Sequence, residues 1–315
     1  MTKINYPKDF DRNKYYEKIS KKYFYISKNE YLKFKIKSHS TDKITLEEIF
    51  NYFKTNKIEN FHTIFKDISF KYLLIGNFLI LKKIKKYLKS IKGNKGIDFL
   101  FNYTSLQSKK IKPFFEDNLL ISTCYYCNID FINVYSKKKR KKNKFTLDHY
   151  FDKFTYSYLA LSLYNFVPSC YTCNSKLKGT IEFNNLSPTS KKYNFNEKVR
   201  FKIKLSSNCK HLDIKDKTDI DLELKESYSK DYKDFIEKMF LNERYEVHKD
   251  LVFDMIKKAE LYPESRLKEL QNLTGMPFQQ IKKDIFNLID ENEDLSKKPF
   301  SKLIKDISEE LGLIK

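Results

Sequence analysis

Residues 124 to 179 carry three polar motifs in close succession: Cys124-Tyr-Tyr-Cys127, Leu147-Asp148-His149 and Asn165-Phe-Val-Pro-Ser-Cys170-Tyr-Thr-Cys173-Asn174-Ser-Lys-Leu-Lys178-Gly179. Two residues between paired cysteines let both thiolates face one metal ion, and zinc prefers four sulfur or nitrogen ligands in a tetrahedron. We therefore predict one structural zinc ion with four thiolate ligands: Cys124, Cys127, Cys170 and Cys173. The alternatives are thiol redox chemistry and a fortuitous pairing, but a thioredoxin-type site needs only one such pair beside a βαβ unit.

A second group of polar residues is a candidate for chemistry, because four sulfur ligands leave zinc no open position for a substrate. Residues 145–147 predict a short strand that leads to Asp148 and His149, and residues 164–167 predict a second strand. Neighbouring strand residues point to opposite sides, so one of the pair can hold a cation while the other reaches a water molecule. Asn174 directly follows a predicted zinc ligand, and carboxylate and amide oxygens suit Mg²⁺ or Mn²⁺.

This order of residues resembles the HNH, or ββα-metal, endonuclease superfamily. The resemblance rests on Asp-His, on two asparagines nine positions apart and on flanking cysteine pairs, and it covers about residues 120 to 180. The run Cys173-Asn174-x-x-x-Lys178-Gly179 is similar to the zinc-bearing members. The order Asp-His, Asn, Asn also resembles the HNH domain of RNA-guided CRISPR nucleases.

The resemblance implies a ββα-metal module and a role for each residue. His149 would be the general base that activates water for attack on a phosphodiester, with DNA as the expected substrate. Asp148 and Asn174 would bind one divalent cation, Mg²⁺ or Mn²⁺, at the scissile phosphate. Asn165 would brace the strand and loop that orient the base, and Lys178 would contact a phosphate. HNH modules inside larger bacterial chains often serve phage defence or mobile elements, so the resemblance also implies such a role.

Two positions depart from the family pattern. Many relatives carry Pro shortly after the His, where this chain has Phe151-Asp152. The third residue of the His-Asn-His signature is Asn174 here rather than His. Asn can still ligate a metal ion, so neither departure removes the chemistry. The carboxylate of Asp152 could perturb the base or add a metal contact.

Two other functions compete with a nuclease. A non-catalytic zinc module that binds nucleic acid or protein would keep the four cysteines without needing Asp148, His149 or Asn174. A zinc deaminase uses His-x-Glu followed by Pro-Cys-x-x-Cys. Here His149-Tyr-Phe151 lacks the glutamate and Pro168 lies one residue too far from the cysteine, which disfavours a deaminase.

The chain of 315 residues has a formal net charge of +21, which suits a polyanionic partner such as nucleic acid. Lysine supplies most of that charge, and this bias is also typical of an AT-rich genome. The basic run 137–144 predicts a hairpin tip beside the site, with Lys141 and Lys142 as contacts to a nucleic-acid backbone. The alternative for this run is a solvated loop.

The start of the chain indicates a cytoplasmic protein, because its first twenty residues are polar and charged, unlike a signal peptide. The apolar run 72–81 is interrupted by Gly76 and Asn77 and is too short to span a bilayer. We therefore predict no membrane partner. The sequence leaves open a protein partner that controls activity, and it leaves the oligomeric state undetermined.

The wider pattern predicts an α+β fold in three regions: a basic helical region over 1–115, the nuclease module over 116–190, and a mostly helical α+β region over 191–315. Thr45-Leu-Glu-Glu48 has the pattern of a capping box at a helix start, and residues 78–91 have helical spacing. Strict alternation over 199–205 and 220–224 predicts two strands that could pair antiparallel.

Overall fold

The computed structural model describes residues 1–36, 42–137, 140–183, 186–207, 209, 213–227, 229–290 and 292–314, and of residues 137, 140 and 141 the backbone alone. The predicted α+β class is confirmed: about half of the fold is helical, and the strands form short antiparallel pairs. A helix needs about 20 apolar residues to span a bilayer. Within the ranges above, no helix is long and apolar enough to do so.

The segment before residue 119 is mainly helical. Its helices are α1 (Arg12–Ser20), α2 (Glu30–Lys35), α3 (Leu46–Thr55), α4 (Phe61–Ile64), α5 (Phe70–Ile75), α6 (Phe78–Leu88), α7 (Lys95–Leu100), α8 (Tyr103–Leu106) and α9 (Lys112–Asn118), with helical turns at Ile58–Asn60 and Gln107–Ile111. Strands β1 (Tyr23–Tyr25) and β2 (Lys43–Thr45) pair antiparallel. The predicted capping box is confirmed, since the Thr45 hydroxyl accepts from the Glu48 amide and the Glu48 carboxylate accepts from the Thr45 amide.

The central segment contains two hairpins and a helix. Its elements are β3 (Val134–Lys137), β4 (Arg140–Asn143), β5 (Thr146–His149), β6 (Phe166–Ser169), short turns at Ser157–Leu159 and Leu163–Asn165, and a π-type helix at Thr172–Lys178. Strands β5 and β6 pair antiparallel, with Asp148 opposite Val167 and His149 opposite Phe166. The helix follows β6 directly, so the chain runs strand, strand, helix through the polar motifs.

The C-terminal segment begins with a strand pair. It contains α10 (Phe195–Lys198), β7 (Val199–Leu205), β8 (Ile220–Glu226), α11 (Lys233–Lys238), α12 (Leu241–Glu246), α13 (Lys249–Leu261), α14 (Glu264–Thr274), α15 (Phe278–Phe286) and α16 (Ser301–Glu310). Val199 lies opposite Glu226 and Leu205 opposite Ile220, which confirms the predicted antiparallel pairing.

One continuous apolar core joins the three segments. It includes Phe50 from the first segment, Phe166 from the central one and Tyr245 from the last, all of them buried. A smaller cluster around Leu267 and Phe286 lies between α14 and α15. The main core is continuous across the expected region boundaries at residues 115 and 190. The central hairpin and helix therefore pack against residues from both flanking segments.

Candidate metal centre and catalytic cavity

The four paired cysteines lie together. Their sulfur atoms are all within 4.8 Å of one another and all four residues are buried: Cys124, Cys127, Cys170 and Cys173. A zinc ion bound at about 2.3 Å to four sulfurs in a tetrahedron needs those sulfurs roughly 3.8 Å apart. The four sulfur atoms therefore need to move only slightly to coordinate one ion. The cluster can hold a metal ion such as zinc.

Hydrogen bonds to sulfur support the same conclusion. The amide of Cys170 donates to Cys124 Sγ at 3.3 Å, that of Cys173 to Cys170 Sγ at 3.4 Å, and that of Ile129 to Cys127 Sγ at 3.4 Å. Donors of this kind orient metal-binding thiolates and offset their negative charge. These three donors can therefore stabilise the thiolate charge when a metal ion is bound.

Arg244 supplies a positive charge that the sequence did not indicate. It lies on α12, and its Nη1 donates to Cys173 Sγ at 3.3 Å. Burial disfavours the charged guanidinium, but the nearby sulfurs of Cys173 and Cys127 outweigh burial and raise the pKa of Arg244 above its ordinary value. A zinc ion with four thiolates carries a net charge of about −2, which such a cation stabilises.

Asn128 ties the first cysteine pair to the C-terminal segment. It has a left-handed backbone with φ of 55° and is fully buried. Its Nδ2 donates to Thr123 Oγ1, to the Leu295 carbonyl and to the Lys298 carbonyl, at 3.1, 2.9 and 3.1 Å. Its Oδ1 accepts from Ser301 Oγ at 3.0 Å. The cysteine cluster is thus linked by hydrogen bonds to the residues just before α16 and to its first residue, Ser301.

We expect Asn128→Gly to lower the free energy of unfolding by about 3 kcal/mol, because several buried partners lose their hydrogen bonds at once. Asn128→Ala should cost roughly 1 kcal/mol more, since a Cβ is strained at positive φ. Urea-induced unfolding of both variants measures the two contributions separately. A Gly variant as stable as the unmodified protein would contradict the role assigned to the side chain.

His149 lies at the end of β5, buried between two aromatic rings. The ring centroids of Tyr103 and Phe166 are 4.5 and 4.9 Å from that of the imidazole. Its Nε2 lies 2.9 Å from the Ala160 carbonyl oxygen, which can only accept, so Nε2 carries the hydrogen. Burial lowers the pKa of His149 to about 3. At neutral pH the ring is therefore uncharged, and Nδ1 is the nitrogen that can accept a proton.

Asn165 connects β6 to the loop that follows His149. Its Oδ1 accepts from the Phe151 amide at 2.8 Å, and its Nδ2 donates to the carbonyls of Phe151 and Leu159 at 3.0 and 3.1 Å. The Tyr150 amide donates to the Asn165 carbonyl at 2.8 Å. These contacts hold both ends of the loop that contains Ala160, whose carbonyl lies 2.9 Å from the imidazole.

Asp148 and Lys178 form a buried ion pair. Lys178 Nζ lies 3.1 Å from Asp148 Oδ2, with side-chain exposures of 0% and 3%, and it also donates to the His149 carbonyl at 3.0 Å. Tyr126 donates to the same Oδ2 at 2.6 Å. Burial raises the pKa of Asp148, and the Lys178 ammonium opposes that rise. The phosphate contact expected of Lys178 needs correction, because the ammonium is enclosed and already paired with a carboxylate.

The remaining candidates meet at one cavity of about 380 Å³. Asp148, His149, Asp152 and Asn174 all line it. Both hydrogen-bond partners that the described residues offer Asp148 use Oδ2, so Oδ1 is the oxygen that remains for a cation. The cavity thus brings together a carboxylate, an amide and an imidazole, a donor set that suits a hard divalent cation beside a proton acceptor.

The basic run forms a hairpin, as predicted, but its tip at residues 138 and 139 lies outside the described residues. Strands β3 and β4 form the predicted hairpin, in which Lys142 lies opposite Tyr135 and is exposed. Among the described side chains, that of Lys142 does not line the cavity. The predicted contact of Lys141 lies outside the described side chains. The lysines that do line it are Lys112 and Lys153, which no sequence pattern singled out.

Comparison with family models, with curated proteins and with solved structures finds no match for this chain. The resemblance to the ββα-metal superfamily therefore stays a prediction, based on the motifs between residues 120 and 180. Any function inferred for the chain depends on that resemblance and on the geometry of this cavity.

Proposed function

We propose that the chain is a metal-dependent endonuclease that hydrolyses phosphodiester bonds of nucleic acid, with DNA as the expected substrate. One observation carries the proposal: His149, Asp148 and Asn174 line a single cavity. Asn174 lies on the helix Thr172–Lys178, which also contains Cys173 of the four-cysteine cluster. A role in phage defence follows from the resemblance alone and belongs to the same proposal.

In the proposed reaction His149 Nδ1 takes a proton from a water molecule, whose oxygen forms a bond to phosphorus as the bond to the leaving oxygen breaks. Asp148 and Asn174 would hold Mg²⁺ or Mn²⁺, whose chemistry at a phosphodiester is to stabilise the charge that develops there. The leaving oxygen is protonated from solvent, and the imidazolium returns its proton to solvent. Burial lowers the pKa of His149, and the Ala160 carbonyl and, more weakly, the Asp152 carboxylate oppose that effect.

The first test compares plasmid cleavage by the unmodified protein and by His149→Ala, with Mg²⁺, with Mn²⁺ and with chelator. We expect cleavage to require a divalent cation and to fall at least about 100-fold in the variant, the usual contribution of a general base. His62→Ala is the matched control, since His62 is exposed and lies on α4. Equal cleavage by both variants would overturn the assignment of the base.

A non-catalytic zinc module remains a second candidate, and the buried Lys178 favours it. An ammonium 3.1 Å from Asp148 already neutralises the carboxylate that a cation would need. Such a module binds nucleic acid or protein. The protein would then cleave no nucleic acid, and any binding of nucleic acid would be equally strong with and without divalent cations. The plasmid assay, combined with a binding measurement in chelator, separates the two functions.

A further inference from the structure

An exposed aromatic residue stands at the rim of the catalytic cavity. Phe154 is 75% exposed, although burying a phenylalanine side chain is strongly favourable in free energy. The ammonium of Lys153 lies 5.1 Å from the centroid of the Phe154 ring and 5.1 Å from that of the Tyr103 ring. One cation and two rings therefore lie together beside the proposed reaction centre.

The turn that carries Phe154 is well ordered by hydrogen bonds. Asp152 Oδ2 accepts from the Thr155 amide at 2.9 Å and from its hydroxyl at 2.7 Å. The Tyr156 amide donates to the Asp152 carbonyl at 2.8 Å. Phe154 therefore extends into solvent from a turn that three hydrogen bonds stabilise.

A second cavity of about 220 Å³ lies on the other side of Phe154. It shares Tyr103, Lys153 and Phe154 with the catalytic cavity. Its remaining lining includes polar side chains that can meet a base edge: Asp98, Asn102, Thr104 and Ser157. Ala160, whose carbonyl holds the His149 ring, lines it too, so the two cavities meet across the proposed base.

We propose that Phe154, Lys153 and the second cavity form a subsite for an unpaired nucleobase next to the scissile phosphate. This inference rests on the proposed function, and it deepens it by naming single-stranded or locally unpaired nucleic acid as the preferred substrate. The Phe154 ring stacks on the base, the lysine contacts the adjoining phosphate, and the polar groups meet the base edge. Stacking on an aromatic ring is sequence-tolerant, because every base has a π-face.

The test measures binding rather than cleavage. Labelled single-stranded and duplex oligonucleotides are titrated with the full chain in chelator, and fluorescence anisotropy reports affinity. We expect the unmodified protein to prefer the single strand, Phe154→Ala and Phe154→Leu to weaken single-strand binding about tenfold, and Phe154→Tyr to stay within about twofold because it keeps the stacking face. Phe154 is exposed, so none of these changes should impair folding.

A second readout locates the base. Single strands are compared that carry an abasic site at successive positions. The affinity of the unmodified protein should fall when the abasic site occupies one particular position, whereas the affinity of Phe154→Ala should be the same at every position. Equal affinity of the Ala variant and the unmodified protein would overturn the subsite and point to a protein partner for Phe154. If binding behaves as expected but His149 proves dispensable for cleavage, the subsite stands and the catalytic proposal fails. Cleavage that needs His149, together with single-strand binding that is unchanged in Phe154→Ala, would support the catalytic proposal and overturn the subsite.

Discussion

Cys127→Ser is expected to lose the metal and most of the stability of the fold. Structural zinc sites contribute roughly 10–16 kcal/mol of apparent folding free energy in small domains. Removing one of four ligands should therefore cost at least about 5 kcal/mol, as much as many whole domains possess. The loss should spread beyond the central segment, since Tyr245 donates to the Cys127 carbonyl at 2.6 Å and Asn128 follows directly.

The measurement has two parts: metal content of the purified protein and thermal unfolding with and without chelator. The unmodified protein should carry one equivalent of zinc, and Cys127→Ser should carry much less and unfold at lower temperature. Cys209→Ser is the matched control, because Cys209 is the cysteine outside the cluster. A zinc-free unmodified protein, or equal stability of the two serine variants, would contradict the structural site.

Zinc and the proposed catalytic cation must be removed separately. Chelator strips an exposed Mg²⁺ or Mn²⁺ at once, whereas four buried thiolates should release zinc slowly. Cleavage lost on brief chelation should therefore return on adding Mg²⁺, but cleavage lost together with the fold should not. This difference keeps the plasmid assay from confusing loss of chemistry with loss of structure.

Local patterns allowed individual elements in all three segments to be predicted. The capping box at Thr45, the strand pair β7 and β8, and the strands around Asp148 depend on neighbours in sequence, so they could be inferred from residue type and spacing. Paired cysteines were informative for the same reason, because one ion imposes their spacing. The resemblance also implied which residues could act at one site, though it implied no distances among them.

Long-range contacts could not be predicted in this way. Arg244 reaches Cys173 across 71 positions, and Tyr103 reaches His149 from a helix that no motif marks. Lys178 shows the limit most clearly, because the resemblance implies a phosphate contact there, whereas the ammonium is buried and paired with Asp148. Burial depends on the whole core, which a local motif does not encode.

Lys178→Met is expected to destabilise the protein by about 3–5 kcal/mol, because it leaves the Asp148 carboxylate buried without its counter-ion. A methionine fills much of the same space, so the lost charge rather than a cavity accounts for the cost. Lys176→Met on the same helix is the control, since Lys176 is exposed and should change stability by no more than about 0.5 kcal/mol. Urea-induced unfolding compares the two.

Adding Asp148→Asn to Lys178→Met should recover most of the loss, because the buried charge is then gone. Mg²⁺ or Mn²⁺ provides a sharper test of the cavity. If Asp148 can hold a divalent cation, that cation should replace the ammonium and stabilise Lys178→Met in proportion to its concentration, as binding to the folded state requires. The double variant, which lacks the carboxylate, should not respond. Equal stability of Lys178→Met and Lys176→Met would show that the buried pair contributes nothing, and a single variant indifferent to both cations would count against a metal site at Asp148.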